Sequence, residues 1–181
     1  MILAFFADGF EEVEAITPVD YLKRAGVAVE TVAVGDITVT GAHGISIVCD
    51  KTTADIKDFN AVDGIILPGG MPGTINLEKD ETVQSAIDFC VAENKLVAAI
   101  CAAPSILGHK NLLDGKFATC FPGFENDLGN AVLSDKFAVR DGNIITAKGA
   151  GAASEFAFEI IAYLCSAEKA FEVRSTVQTC Y

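Results

Sequence analysis

The sequence predicts an α/β protein, a mostly parallel sheet with helices packed on both faces. Short apolar runs alternate with segments of helical spacing from end to end, the pattern of repeated βα units. Several of the runs are apolar at every position, as strands are when helices cover both faces of a parallel sheet. One run, residues 95–100, stops at Cys101 with a helix starting directly behind it. The 181 residues are long enough for one core and contain no linker, repeat or low-complexity stretch, so residues 1–181 read as a single domain.

Residues 2–7 form the first buried strand. They carry no basic leader and meet Asp8-Gly9 too soon for a signal peptide or membrane span. Residues 10–25 have helical spacing apart from Pro18, and residues 27–34 alternate as a strand that ends at Gly35-Asp36. Residues 45–49 are another short strand. Residues 64–67 are a buried strand closed by Pro68-Gly69-Gly70. In residues 80–93, Val83, Ala86, Ile87, Cys90 and Val91 recur at helical intervals. Residues 117–120 read as a strand, while 136–139 and 143–146 flank Asp141-Gly142, a hairpin signal. Residues 152–164 close the series as a helix with Phe156, Ile160, Ile161 and Leu164 on one side.

Charge and cysteine usage narrow the partners. Thirteen Lys and Arg against 25 Asp and Glu leave a net charge of −12, which argues against nucleic acid or an anionic membrane. The six cysteines are scattered, without a C-x-x-C pair, and there are only two histidines. That usage fits reduced thiols in a cytoplasmic protein better than a disulfide framework or a zinc site, so no metal or cofactor is expected.

In open α/β sheets the site lies at the carboxyl ends of the strands. Here those ends are Asp8 to Glu14, Pro68 to Gly73, Cys101-Ala102 and the stretch from Cys120 to Pro122. The strand–Cys101–helix junction has the layout of a nucleophile elbow, which strains the backbone and admits only small residues two positions away. Ala99 and Ala103 fill those positions, and Pro104 suits a first helical turn. A sulfur facing a helix amino terminus is expected to favour the thiolate. Pro68-Gly69-Gly70 offers bare amides that, with those of Cys101 and Ala102, could hold an oxyanion. Glu11 and Glu12 are read as complementing the first helix's dipole. Glu14, if turned into a dry pocket, stays protonated and donates a hydrogen bond to the sulfur.

Glu11-Glu-Val-Glu14, Pro18-Val-Asp20, Arg24-Ala-Gly26, Leu67-Pro-Gly-Gly70, Ala98 to Pro104 and Gly149-Ala-Gly151 to Phe156 together resemble the ThiJ/PfpI superfamily. Within it the similarity is to the branch of the Parkinson's-disease-associated protein deglycase and its bacterial relatives. The resemblance runs in order through the chain. It implies a flavodoxin-like three-layer sandwich, a homodimer and an oxidation-sensitive cysteine hydrogen-bonded to a protonated glutamate. Those roles map onto Cys101 and Glu14, and the oxyanion amides onto Gly70 and Ala102. Protease-like members have a histidine after the nucleophile where this chain has Ala102, so peptidase activity is not expected. The deglycase branch often has a histidine before a proline where this chain has Phe121-Pro122.

Two functions of different class follow. One is a cofactor-free thiol enzyme acting on small reactive carbonyls, of glyoxalase or deglycase type, with Cys101 as nucleophile and Glu14 as proton carrier. The other is a redox-sensing stress chaperone in which Cys101 is oxidised without turnover. Auxiliary candidates are His43, serving a partner subunit's site, and Cys120, resolving an oxidised Cys101. His109 reads as a surface residue near the end of the elbow helix. Cys90 and Cys165 read as core packing, Cys49 as a residue near the dimer interface, and Cys180 as exposed.

Overall fold

The computed structural model describes residues 1–179. Strand β1 (Ile2–Phe6) leads into helix α1 (Glu12–Arg24), then β2 (Val29–Ala33). A hairpin of β3 (Thr38–Thr40) and β4 (Ser46–Val48) precedes the short β5 (Lys51–Thr52) and the buried β6 (Gly64–Leu67). Next come α2 (Gly73–Lys79), α3 (Glu81–Ala92), β7 (Leu96–Ile100) and α4 (Pro104–His109). The chain continues through β8 (Phe117–Ala118), a 3-10 turn (Glu125–Leu128), β9 (Val132–Leu133), β10 (Ala138–Asp141) and β11 (Ile144–Ala147). A second 3-10 turn (Ala150–Ala152) enters α5 (Ala153–Leu164), and α6 (Ala167–Thr176) follows.

Seven strands form one sheet in the order β10-β11-β7-β6-β1-β2-β5, parallel except for β10 against β11. Its central strands β2-β1-β6-β7-β11 follow the flavodoxin-like order second, first, third, fourth, fifth. The register pairs Leu67 with Ala99 and Ile100 with Ala147. Pro68, Cys101 and Lys148 therefore leave the sheet along one edge.

Alternation along β1 divides the core between two faces. Ile2, Ala4 and Phe6 pack with Leu22 of α1 and Phe156, Ile160 and Ile161 of α5. Leu3, Phe5 and Ala7 pack with Ile87 and Cys90 of α3 and Leu107 of α4. Burying each large apolar side chain contributes roughly 1.5–3 kcal/mol. Continuous hydrophobicity in β1, β6 and β7 is thus the signature of a sheet with two covered faces.

Several expected elements differ in detail. The strand at 45–49 lies in the β3–β4 hairpin outside the main sheet, because Ser46 and Val48 are exposed and could not line a covered face. The strand at 117–120 shortens to β8, pairs with β9, and leaves Phe117 at the surface. Helix α6 escapes a periodicity search because only Ala170 and Val173 bury on it among charged neighbours. Its start is set by Ser166, whose hydroxyl accepts the Lys169 amide. Cys165 is a correction: it caps the end of α5 and is exposed, since the helix has already turned away from the sheet. Cys180 lies outside the described residues. No helix among the described residues is long and apolar enough to cross a membrane.

Candidate functional site

Cys101 sits in the left-handed region at φ +66°, a conformation that costs a non-glycine residue about 1–3 kcal/mol. Two backbone bonds hold it there. Its N–H donates to the Ala147 carbonyl (2.9 Å), and its carbonyl accepts the Phe121 N–H (2.8 Å). Ala99 and Ala103 on either side are fully buried, which leaves no room for larger side chains. The sulfur itself is half-buried at the carboxyl edge of the sheet.

Glu14 reaches the sulfur from α1. The Glu11 carboxylate accepts the Glu14 amide at 2.7 Å and caps the helix, so the first turn starts where Glu14 points inward. Its carboxyl is 1% exposed. It hydrogen-bonds the Cys101 thiol and accepts the amides of Gly69 (3.0 Å) and Ala150. Pro18 stands one helical turn on and lacks the N–H that would bond the Glu14 carbonyl, yet α1 runs through it.

The Pro68-Gly69-Gly70 loop is bare for steric reasons. A Cβ on Gly69 would lie 2.5 Å from the Cys101 Cβ and 2.6 Å from Glu14 Oε2. Gly70 has φ +89°, and a side chain there would strike the backbone of Gly9 and Glu11. With that geometry the Gly70 amide donates to the Cys101 sulfur, as does the Ala102 amide. Cys101, Glu14, Gly70 and Ala102 are thus gathered at one point. On the far side Gly149 faces Phe121, whose ring edge would be 3.2 Å from a Cβ there, with Glu14 Oε1 at 3.6 Å.

The electrostatics differ from a plain thiolate. Burial pushes the Cys101 thiol up to about 12, reinforced by the negative charge and hydrogen bond of Glu14, against the lowering effect of the two amides. Burial likewise raises Glu14 to about 7, while its hydrogen bonds to Cys101, Gly69 and Ala150 pull the other way. Repulsion keeps the two from ionising together, so the pair carries a single negative charge between its two steps. Burial and the carboxyl neighbour thus act against the thiolate that a helix dipole was expected to favour. Helix α4 has six residues and begins three residues past the sulfur, and the carboxyl neighbour outweighs it.

The auxiliary candidates have surroundings of their own within the single chain. His43 is exposed on the β3–β4 turn, with Nδ1 2.8 Å from Glu12 Oε2. Glu12 also accepts the amides of His43 (2.8 Å) and Ile45 (3.4 Å). This buried carboxylate ties α1 to the hairpin, a role invisible in sequence because the partners are some thirty residues apart. Glu11, Glu12 and His43 bring potential metal-ligating atoms within 4.8 Å of one another, but the Glu12 oxygens are already engaged. Cys120 is buried with the α3–α4 layer, whereas Cys101 packs against the opposite one. Burial, then Glu125 and Asp127, push the Cys120 thiol up to about 11. Cys90 is buried, its thiol pushed up to about 12 by burial, and burial raises Cys49 as well. None of the five described cysteines forms a disulfide.

Residues 1–163 match the model of the DJ-1/PfpI family. The protein dj-1beta of Drosophila melanogaster is 34% identical over 182 aligned residues, covering 99% of this chain and 97% of that protein. A Pyrococcus horikoshii protein named a deglycase is 34% identical over 150 residues, 81% of this chain and 89% of its own. The solved structure of oxidized Toxoplasma gondii DJ-1 superposes with a TM-score of 0.94 at 30% identity, over 99% of this chain and 98% of that one. The chain spans 40% and 45% of the length of two longer Arabidopsis thaliana relatives.

Proposed function

The chain belongs to the DJ-1/PfpI family, and on that premise we propose that it is a single-domain, cofactor-free thiol enzyme acting on small reactive carbonyls. The observation that carries the reading is the convergence of one sulfur, one buried carboxyl and two amides aimed at the sulfur. Because the thiol is held high and Glu14 titrates near 7, the carboxylate takes the thiol proton as the sulfur adds to the aldehyde carbon of a compound such as methylglyoxal. The carbon–sulfur bond forms, the carbonyl oxygen gains the electron pair, and the amides of Gly70 and Ala102 pass from sulfur to that oxygen. Glu14 returns that proton to the alkoxide, giving a hemithioacetal. As carboxylate it then carries the proton on the sulfur-bearing carbon to the neighbouring carbonyl carbon, while the hydroxyl proton passes to that carbonyl's oxygen. Water cleaves the resulting thioester, which forms the hydroxy acid and returns a proton to the sulfur. A relative named a deglycase supports this class of substrate. With Phe121 where a histidine would stand, turnover is slow or restricted to activated substrates.

A second reading, a redox-sensing stress protein, draws on the same residues. A carboxyl that keeps its proton toward neutrality can donate to an oxidised sulfur, and the oxidized Toxoplasma relative is in accord. One experiment separates the two. Lactate formation from methylglyoxal should vanish in Cys101→Ala and fall in step with Cys101 oxidation under graded peroxide. Full activity in Cys101→Ala sinks the enzyme reading, whereas no turnover in wild type together with preferential oxidation of Cys101 establishes the sensor.

In either case we expect a homodimer in a reducing compartment. Helix α1 and the β3–β4 hairpin, joined through Glu12, expose Val13, Ile16, Ile45 and Val48, an apolar surface suited to a second copy.

A further inference from the structure

We propose that His109 is a positioning residue for the Cys101 site, a charged clamp joining the segments that carry the sulfur, the Gly70 amide and the Phe121 wall. His109 ends α4, the helix that starts behind the elbow. Its Nδ1 lies 2.6 Å from Glu78 Oε1 on α2, and its Nε2 lies 3.8 Å from Asp127 Oδ1 in the turn Glu125–Leu128. Carboxylates facing both ring nitrogens favour the imidazolium, the form that donates from each.

Backbone bonds run from each of these partners back to the sulfur. Helix α2 is anchored on Gly70, whose carbonyl accepts both the amide (2.9 Å) and the hydroxyl (3.0 Å) of Thr74. The Asp127 N–H donates to the Phe124 carbonyl (3.0 Å), and the Phe124 N–H to the Phe121 carbonyl (3.1 Å). Phe121 in turn donates to the carbonyl of Cys101 itself. Gly108 is packed so tightly on the turn that a Cβ would collide with the Asp127 carbonyl. The clamp thus closes the back of three loops whose front edges hold the reacting atoms.

Neighbouring charges do not compete for it. On α3, Asp88 pairs with Lys110 at 2.8 Å, and that ammonium also donates to Gln84. Glu125, in the same turn as Asp127, accepts the Gly123 amide. The hydrogen bond to Glu78, with the charge of both carboxylates, raises His109 above its ordinary 6.5. For a group so raised, the stabilisation is complete below the ordinary value and is lost as pH climbs through the raised one. His109 is about half exposed, so the effect is modest, about two- to fivefold in local opening.

The inference rests on Cys101 as the reacting residue, but its test reads backbone amides and does not need turnover. In a His43→Ala, Glu14→Gln background a single imidazole remains and the raised Glu14 carboxyl is gone, and the titration of that imidazole is followed by NMR. Hydrogen-exchange protection factors of Thr74, Phe121 and Phe124, corrected for intrinsic rates, are measured across the same range. Protection should fall two- to fivefold as the ring loses its proton. His109→Gln should show the lower protection throughout with no step, and His109→Lys the higher protection throughout with no step. A flat wild-type profile, a step that survives His109→Gln, or His109→Lys as weak as His109→Gln overturns the proposal. Repeating the profile in Cys101→Ala keeps the two ideas apart, since there the step persists even if the carbonyl chemistry proves wrong.

Discussion

Glu14 occupies a position where its charge opposes folding. In the unfolded chain it titrates near its ordinary 4.5, and in the fold near 7. Wild type should therefore lose stability as pH rises from about 4.5 to 7, because the unfolded state gives up its proton first. The loss approaches about 3 kcal/mol, the free energy of a displacement of this size. Glu14→Gln has no charge to lose. Urea unfolding at pH 4 and pH 8 should show the variant gaining on wild type across that window. Parallel curves would mean that the carboxyl is not held in the dry environment described. Removing the repulsion should also shift iodoacetamide alkylation of Cys101 to lower pH.

At the scale of elements, the site depends on a loop that tolerates nothing beyond hydrogen. Gly69→Ala inserts a Cβ between Cys101 and Glu14, and overpacking of this kind costs about 1–3 kcal/mol. Lower thermal stability should accompany a Glu14–Cys101 pair driven apart. Unchanged Cys101 alkylation in a folded variant would contradict the geometry. Pro68-Gly69-Gly70 was recognisable as an amide loop because a strand led into it, and the elbow because small residues flanked a cysteine. Neither pattern showed the Glu12–His43 pair or the His109 clamp, since each joins residues about thirty positions apart. Local spacing carries no information about such pairs.

For the whole molecule, the proposed dimer predicts a mass of two chains by light scattering. Val48 is 72% exposed and Ile16 41%. Placing a charge there as Val48→Asp with Ile16→Asp should yield single chains with an intact fold. Wild type running as a monomer would reject the surface. Of the elements that sequence reading shortened or missed, β8, β9 and α6 lie outside the seven-stranded sheet and β5 is its two-residue edge. Strands β5, β8 and β9 are two residues long, too short to show a period, and α6 buries only Ala170 and Val173.

The sequence by itself determined the layered α/β architecture, the elbow at Cys101 and the inward glutamate, because burial on two faces writes itself into continuous apolar strands and steric crowding into Ala and Gly. Only the tertiary structure brought together the groups that bear on the charge of the sulfur. Helix-dipole reasoning pointed to a thiolate, but burial and a carboxyl brought from the other end of the fold push the thiol up to about 12. Long-range electrostatics depends on distances that the chain sets only once it is folded.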